Sequence, residues 1–289
     1  MAYITMTNLG DKGRLGNQLF QYAALFVIAK RTGATIAFTS FYNPRHSRDY
    51  VLQAFPAVTY KILSDFKLNR VYREPGEDPF DYNEALFTML KDIPANEALS
   101  INGYFQAYQY FHDIRREILR LFRFQDEVRE KCHTFLQSLS NKSSKSINIS
   151  LHVRRGDNVG SGTFIATTVE HITKYMSYFL QLKIKKNKHL TFVIISDDLA
   201  WCKSNIILVP DAPYKIAFSP FTNQIDDLCA MAMCKHNIIA ASTFSWWGSY
   251  LNSNPKKIVL CPKVWFNPDC KFGKLALDNL YLPEWIKIE

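Results

Sequence analysis

The sequence predicts an α/β protein with parallel sheets, on three observations. Short apolar strands alternate with amphipathic helical stretches from residue 3 onward. That rhythm runs twice, on either side of a polar, Lys/Ser-rich stretch at Ser138–Ser146. The clearest strand, Ile147–Val153, runs directly into a charged turn, Arg154-Arg155-Gly156-Asp157. The carboxyl end of a strand is where an open parallel sheet binds its ligands.

The 289 residues suffice for two domains, and 47% hydrophobic and 14% aromatic content give each a core to bury. Disorder is excluded on the same grounds. A net charge of +9 favours anionic partners such as nucleotides, phosphorylated lipids, membrane surfaces or nucleic acid. The six cysteines (132, 202, 229, 234, 261 and 270) form no CxxC pair, so neither a metal site nor a disulfide framework is expected. Met1-Ala-Tyr-Ile-Thr-Met has no signal-peptide character, and no apolar run reaches the roughly 18–20 residues of a spanning helix. The expectation is a cytoplasmic protein without a membrane span, with peripheral membrane contact left open by its charge.

In chain order, Tyr3–Thr7 reads as a strand, followed by a turn with glycines at 10, 13 and 16. Asn17 is a candidate N-cap for a helix with Leu19, Tyr22, Ala23, Phe26 and Val27 on one face, closed by Lys30, Arg31 and Gly33. Thr35–Phe38 is the next strand. Prolines at 44, 56, 75, 79 and 94 divide residues 39–110, which are expected to form irregular helices and loops. Residues 111–124 predict one amphipathic helix on Phe111, Ile114, Ile118, Leu121 and Phe122. Domains are expected at 1–140 and 146–275, with 276–289 a tail packing back on the body.

Beyond the boundary, apolar residues 147, 149, 151 and 153 alternate with Asn148, Ser150 and His152, the period of a strand. A helix over 169–182, a basic turn at 183–188 and a strand at 190–195 follow, then a short helix through Trp201 and a strand at 206–209. A helix at 226–235 and strands at 237–240 and 257–260 complete the pattern, with Ser242–Gly248 opening a further helix.

Three polar clusters fall at strand ends: His152 with Arg154, Arg155 and Asp157; Ser196-Asp197-Asp198; and Ser242-Thr243-Phe244-Ser245. Together they supply cations for phosphate, carboxylates for ribose hydroxyls or a purine edge, and hydroxyls beside helix N-terminal amides. That set suits a nucleoside diphosphate without a metal. Neither Asp-x-Asp nor HExxH occurs, a P-loop is absent, and Gly10-x-x-Gly13-x-x-Gly16 departs from the dinucleotide fingerprint. The bland readings are a solvated surface turn for the arginines, ordinary helix caps for Asp198 and Ser242–Ser245, and core packing for Trp246-Trp247.

His152-Val-Arg-Arg-Gly-Asp157, Gly13-Arg-Leu-Gly-Asn-Gln-Leu-Phe-Gln-Tyr22 and Asn237-Ile-Ile-Ala-Ala-Ser-Thr-Phe-Ser-Trp-Trp-Gly248 resemble, in order and spacing, the α-1,2-fucosyltransferases of glycosyltransferase family 11. The resemblance implies a GT-B-like α/β architecture of two Rossmann-type domains facing a cleft. It implies GDP-β-L-fucose as donor, no metal, and inverting transfer to the 2-hydroxyl of a galactose-type acceptor, whether a free galactoside, an oligosaccharide or a lipid-linked glycan. By the same resemblance Arg154 holds the β-phosphate, and His152 with Asp197 or Asp198 reads guanine or ribose. Ser242, Thr243 and Ser245 bind phosphate, Arg155 and Asp157 orient Arg154 or meet the guanine, and Asn17, which resembles the Gly-Asn-Gln asparagine of the more distantly similar protein O-fucosyltransferases, stands at the cleft near donor and acceptor. Asn158 and Gly162 depart from the family pattern, where related enzymes carry an aromatic and a glutamate. The general base is therefore assigned to Asp157, the alternative being Asn17 with no true base. Another fucosyl linkage or another nucleotide sugar is the nearest rival reading. A nucleic-acid-binding protein is the rival from another class, disfavoured because no basic-aromatic run occurs.

Overall fold

The computed structural model describes residues 1–39, 49–76, 78–89, 93–139, 147–182, 190–206 and 214–289. The chain divides into two units, Met1–Gln125 with Leu275–Leu282, and Asp126–Lys274 with Pro283–Glu289. Both are parallel α/β sheets.

The first unit runs β1 (Tyr3–Thr5), α1 (Leu15–Thr32), β2 (Thr35–Thr39), α2 (Asp49–Ala54), β3 (Lys61–Leu63), β4 (Lys67–Arg73), α3 (Ala85–Met89), β5 (Glu97–Asn102) and α4 (Arg115–Leu121). Its strand order is β3-β2-β1-β5-β4, every pairing parallel. Three strands therefore stand in residues 39–110, where irregular structure was expected. β4 hides from a periodicity reading because five of its first residues, Lys67–Val71, face solvent and leave no apolar alternation. α1 is buried on almost every side, from Leu15 to Ala29. Even Gln18 and Gln21 are inside it, meeting Val51 N at 3.3 Å and Gly103 O at 3.0 Å. The helix begins two residues earlier than its expected cap: Arg14 occupies the N-cap position, which puts Asn17 within the first turn.

The helix expected over 111–124 is shorter. A 3-10 turn at His112–Ile114 leads into α4, and the backbone leaves helical geometry at Phe111 and Phe122. Aromatic packing overrides local propensity there. Phe111 lies 5.8 Å from Phe20, and Phe55 receives Phe122 at 5.2 Å and Phe124 at 5.3 Å.

The second unit begins with α5 (Asp126–Ser138), then β6 (Ile147–Val153), α6 (Val169–Gln181), β7 (Leu190–Ser196), α7 (Leu199–Asn205), β8 (Tyr214–Phe218), α8 (Gln224–Met233), β9 (His236–Ile238), α9 (Thr243–Leu251), β10 (Val259–Pro262) and β11 (Ile286–Ile288). The division thus falls before α5 and not within the polar stretch, of which residues 140–146 lie outside the described residues. α5 packs on α8: Cys132 Sγ donates to Asp226 O at 3.2 Å, Lys131 pairs with Asp226, and Phe135 meets Phe221 at 5.3 Å. The final residues are not one tail, since Leu275–Leu282 joins the first unit and β11 extends the second sheet. The expected strand at 206–209 and basic turn at 183–188 fall mostly or wholly outside the described residues.

The second sheet reads β11-β10-β9-β6-β7-β8, again wholly parallel among these strands. β6 is central and covered on both faces, so Ser150 and His152, at the polar positions of its alternation, are buried as well. Asn237 Nδ2 donates to Ser150 Oγ and to Met231 O, and Asn252 Nδ2 donates to Asn237 Oδ1, each at 2.8 Å. This satisfied network ties β6 and β9 to the end of α9 and so fixes where α9 begins.

Candidate active site

From β6 the second sheet winds outward through β7 and β8, then in the opposite direction through β9, β10 and β11. The reversal lies between β6 and β9, and the carboxyl ends of those strands form the crevice in which doubly wound sheets take ligands. Arg154 follows β6 there, and Val153 is paired with Ser196 at the end of β7. Arg154 donates through its two terminal nitrogens to Asp197 and Asp157. Its guanidinium is thus aimed between two carboxylates, with its side chain only 18% exposed. Asp197 also accepts from Arg155 N at 2.9 Å.

Gly156 makes this arrangement sterically possible. Its φ is +20°, and a Cβ on it would stand 2.3 Å from Asp197 Oδ2. Arg155 turns the other way. Its guanidinium lies 3.7 Å above the Trp201 ring and donates to Thr167 O at 2.9 Å. It therefore braces the turn against α7, while Arg154 faces the crevice with Asp157 and Asp197.

Asp198 performs the cap that the bland reading gave it, accepting from Trp201 N at 3.0 Å. His152 is 5% exposed, its ring 5.7 Å from Phe244. Burial, helped by the Arg154 charge, pushes its pKa down to about 3, so the ring is neutral. It joins the end of β6 to the start of α9 as an uncharged group. Its Nδ1 is buried without a hydrogen-bond partner.

Ser242 stands at the N-cap of α9, but no side chain caps that helix. The start of this nine-residue helix points its positive dipole end at whatever lies there, the geometry of anion-binding helix termini. Thr243 is half-buried beside it. Ser245 is fully buried, and its hydroxyl donates back to Ser242 O at 3.2 Å. Trp246 and Trp247 are buried too, Trp246 stacked on Tyr250 at 4.9 Å, which is core packing. Among the described residues, no three His, Cys, Asp or Glu side chains gather as metal ligands.

Asn17 belongs to the first unit, where the sheet reverses between β1 and β5. Its Oδ1 accepts from Gln106 Nε2 at 3.1 Å and its Nδ2 donates to Lys12 O at 3.4 Å. Gly13, at φ +94°, is the glycine this side chain demands, since a Cβ there would lie 2.0 Å from Asn17 Nδ2. Across the same strand ends Asn8 Nδ2 donates to Asn102 Oδ1 at 2.8 Å.

Two further carboxyl groups are not among the residues that the sequence picks out. Asp227, in the first turn of α8, accepts from Ser219 Oγ at 2.5 Å, and burial raises its pKa to about 6. Glu74 follows β4 and is raised to about 7, again mainly by burial. The Asp226-Asp227 doublet was a visible signal for the first. Nothing local marks Glu74, whose surroundings come from strands that were not expected.

The model of Glycosyl transferase family 11 matches residues 2–289. The chain belongs to that family. This family 11 chain is a glycosyltransferase. It is 31% identical, over 98% of its length and 80% of the relative's, to galactoside alpha-(1,2)-fucosyltransferase 2 of Sus scrofa. Its fold is similar to fucosyltransferase NodZ from Bradyrhizobium, with a TM-score of 0.52 and 16% identity, covering 86% of this chain and 92% of NodZ. It is also similar to POFUT1 in complex with GDP-fucose, with a TM-score of 0.52 and 10% identity, covering 90% and 97%. The α/β, GT-B-like fold class expected from sequence holds.

Proposed function

We propose that the chain transfers L-fucose from GDP-β-L-fucose to the 2-hydroxyl of a galactoside, with inversion and without a metal. The observation that carries this is Arg154 at the β6 end, beside the uncapped start of α9. The name of the porcine relative supports fucose and galactoside, and the GDP-fucose complex of POFUT1 supports the donor.

The acceptor oxygen attacks the anomeric carbon of fucose from the face opposite the diphosphate. The bond from that carbon to the β-phosphate oxygen breaks, its electron pair leaves with GDP, and the β-linked donor yields an α-linked product. Charge grows on the departing diphosphate, where Arg154 and the α9 amides stabilise it, a task that other transferases give to a metal. Asp157 and Asp197 hold the guanidinium in place, so little reorganisation is needed when the phosphate arrives.

Asn17, fixed by Gln106, orients the acceptor hydroxyl. Its proton goes either to Asp157 or to a departing phosphate oxygen. Asp157→Asn distinguishes the two: loss of the rate's dependence on one ionisation marks Asp157 as the base, and an unchanged profile marks the phosphate. For the donor, GDP is expected to raise the melting temperature more than UDP or ADP in the presence of EDTA. A larger shift with UDP would move the reading to another nucleotide sugar.

A further inference from the structure

The first unit contains a carboxylate that none of the chemistry above uses. β4 ends at Arg73, and Glu74 N still donates to Asn102 O at 2.8 Å, so the Glu74 side chain emerges over the end of β5. There it turns onto the Gly103–Gln106 segment. Oε2 accepts from Tyr104 N at 2.6 Å, and Oε1 accepts from Phe105 N at 3.0 Å. A carboxylate that takes two successive backbone N–H groups fixes the segment carrying them. Contact is closest at Gly103, where a Cβ would lie 2.5 Å from Glu74 Cβ and 2.6 Å from Oε2.

The segment held in this way is strained. Phe105 sits at φ +53°, uncommon for a bulky side chain and maintained only where surroundings over-determine it. The other restraints are Gln21 Nε2, donating to Gly103 O at 3.0 Å, and Gln106 N, donating to Pro79 O at 3.1 Å. Next in sequence, buried Gln106 gives its Nε2 to Asn17 Oδ1. We propose that Glu74 is a positioning residue for fucosyl transfer: by clasping the Gly103–Gln106 turn it sets Gln106, and through Gln106 the amide of Asn17. The proposal rests on the reading above that Asn17 faces the acceptor.

The clasp is sensitive to pH. Burial raises Glu74 to about 7 despite its two N–H partners and the nearby Lys12 charge, with Asp78 raising it slightly further. Tyr72 and Tyr110, the other titratable groups facing it, are held protonated by burial. Below pH 7 a proton occupies one of the two accepting oxygens and the clasp relaxes.

Glu74→Gln tests this, because an amide offers one acceptor and one donor to two N–H groups. The expected result is a kcat lower by about ten- to a hundredfold, an unchanged calorimetric Kd for GDP, and loss of the acid limb of kcat near pH 7. Gln106→Ala, which leaves the clasp intact and cuts its link to Asn17, is expected to lower kcat similarly while keeping that limb. A Glu74→Gln enzyme with the wild-type kcat and pH profile would overturn the proposal. If that variant does not fold, a Gln106→Ala kcat within twofold of wild type overturns it instead. Absence of fucosyl transfer by the wild-type enzyme would contradict the function and not the clasp, which amide exchange at Tyr104 and Phe105 reads independently: faster exchange in Glu74→Gln is expected, and equal exchange refutes it.

Discussion

The two units use the same design, a parallel sheet whose strand order reverses beside a central strand, yet their strands end in different chemistry. After β6 and β7 of the second unit come Arg154, Asp157 and Asp197, all charged and mutually paired. At the ends of β1 and β5 of the first lie two hydrogen-bonded pairs of neutral amides, Asn8 with Asn102 and Asn17 with Gln106. Fixed cationic charge suits a diphosphate, and neutral amides both donate to and accept from a sugar hydroxyl. Under the proposed function, that contrast gives donor chemistry to the second unit and acceptor chemistry to the first. Glu74 is a carboxylate beside these amides, and it acts on the backbone.

The largest effect is expected where charge meets the leaving group. Arg154→Ala should lower kcat by about a hundred- to a thousandfold, with an unaltered circular dichroism spectrum. Activity within tenfold of wild type would remove Arg154 from the mechanism and with it the contrast between the two strand ends. Gly156→Ala comes next. Its methyl group would displace Asp197 and force a left-handed backbone, so weaker GDP binding should accompany a stability loss of about 1–3 kcal/mol in urea. Asn237→Ala tests the scaffold and not the chemistry. Leaving Ser150 and Asn252 without their partner should cost about 2–4 kcal/mol.

The smallest effect sharpens the contrast by pH, because the buried histidines of the second unit and Glu74 of the first respond with opposite sign. His152 and His236 of the second unit are pushed down to about 3 and about 4, chiefly by burial. Their folded pKa values lie below the unfolded value near 6.5, so the stability they contribute is present above that pH and is lost as pH falls toward 4. Glu74 is raised, so its contribution is complete below the ordinary carboxylate range and is lost as pH rises through about 7. Melting temperatures from pH 4 to 8 should therefore show wild type losing its advantage over Glu74→Gln toward alkaline pH, while acid destabilises both. A wild-type advantage that grows toward pH 8 would reverse the sign assigned to Glu74.

Legibility in the sequence followed burial. β6 is seven residues with strict alternation, and its predicted bounds match the structure. α6 likewise shows a clear apolar face on Ile172, Tyr175, Met176 and Phe179. β4 carries no such signal because its exposure removes the pattern, nor does α5, which buries only Cys132 and Leu136 in thirteen residues. The site divided in the same way. Arg154, Asp157 and Asp197 stand at the ends of recognisable strands, and the structure brings them together. The neutral burial of His152 beside Phe244 and the clasp at Glu74 depend on tertiary neighbours 30 to 92 residues distant in sequence, which no local pattern encodes.

The central claim is that this chain moves fucose from GDP-fucose to a galactose 2-hydroxyl using its own charges. The most direct measurement is the product of GDP-β-L-fucose and a panel of galactosides in EDTA, identified by mass and by NMR linkage analysis. The account predicts an α-1,2-fucosylated galactoside and one equivalent of GDP, with no stimulation by added divalent ions. A product of another linkage or anomeric configuration, or transfer that starts only when a metal is restored, would contradict it.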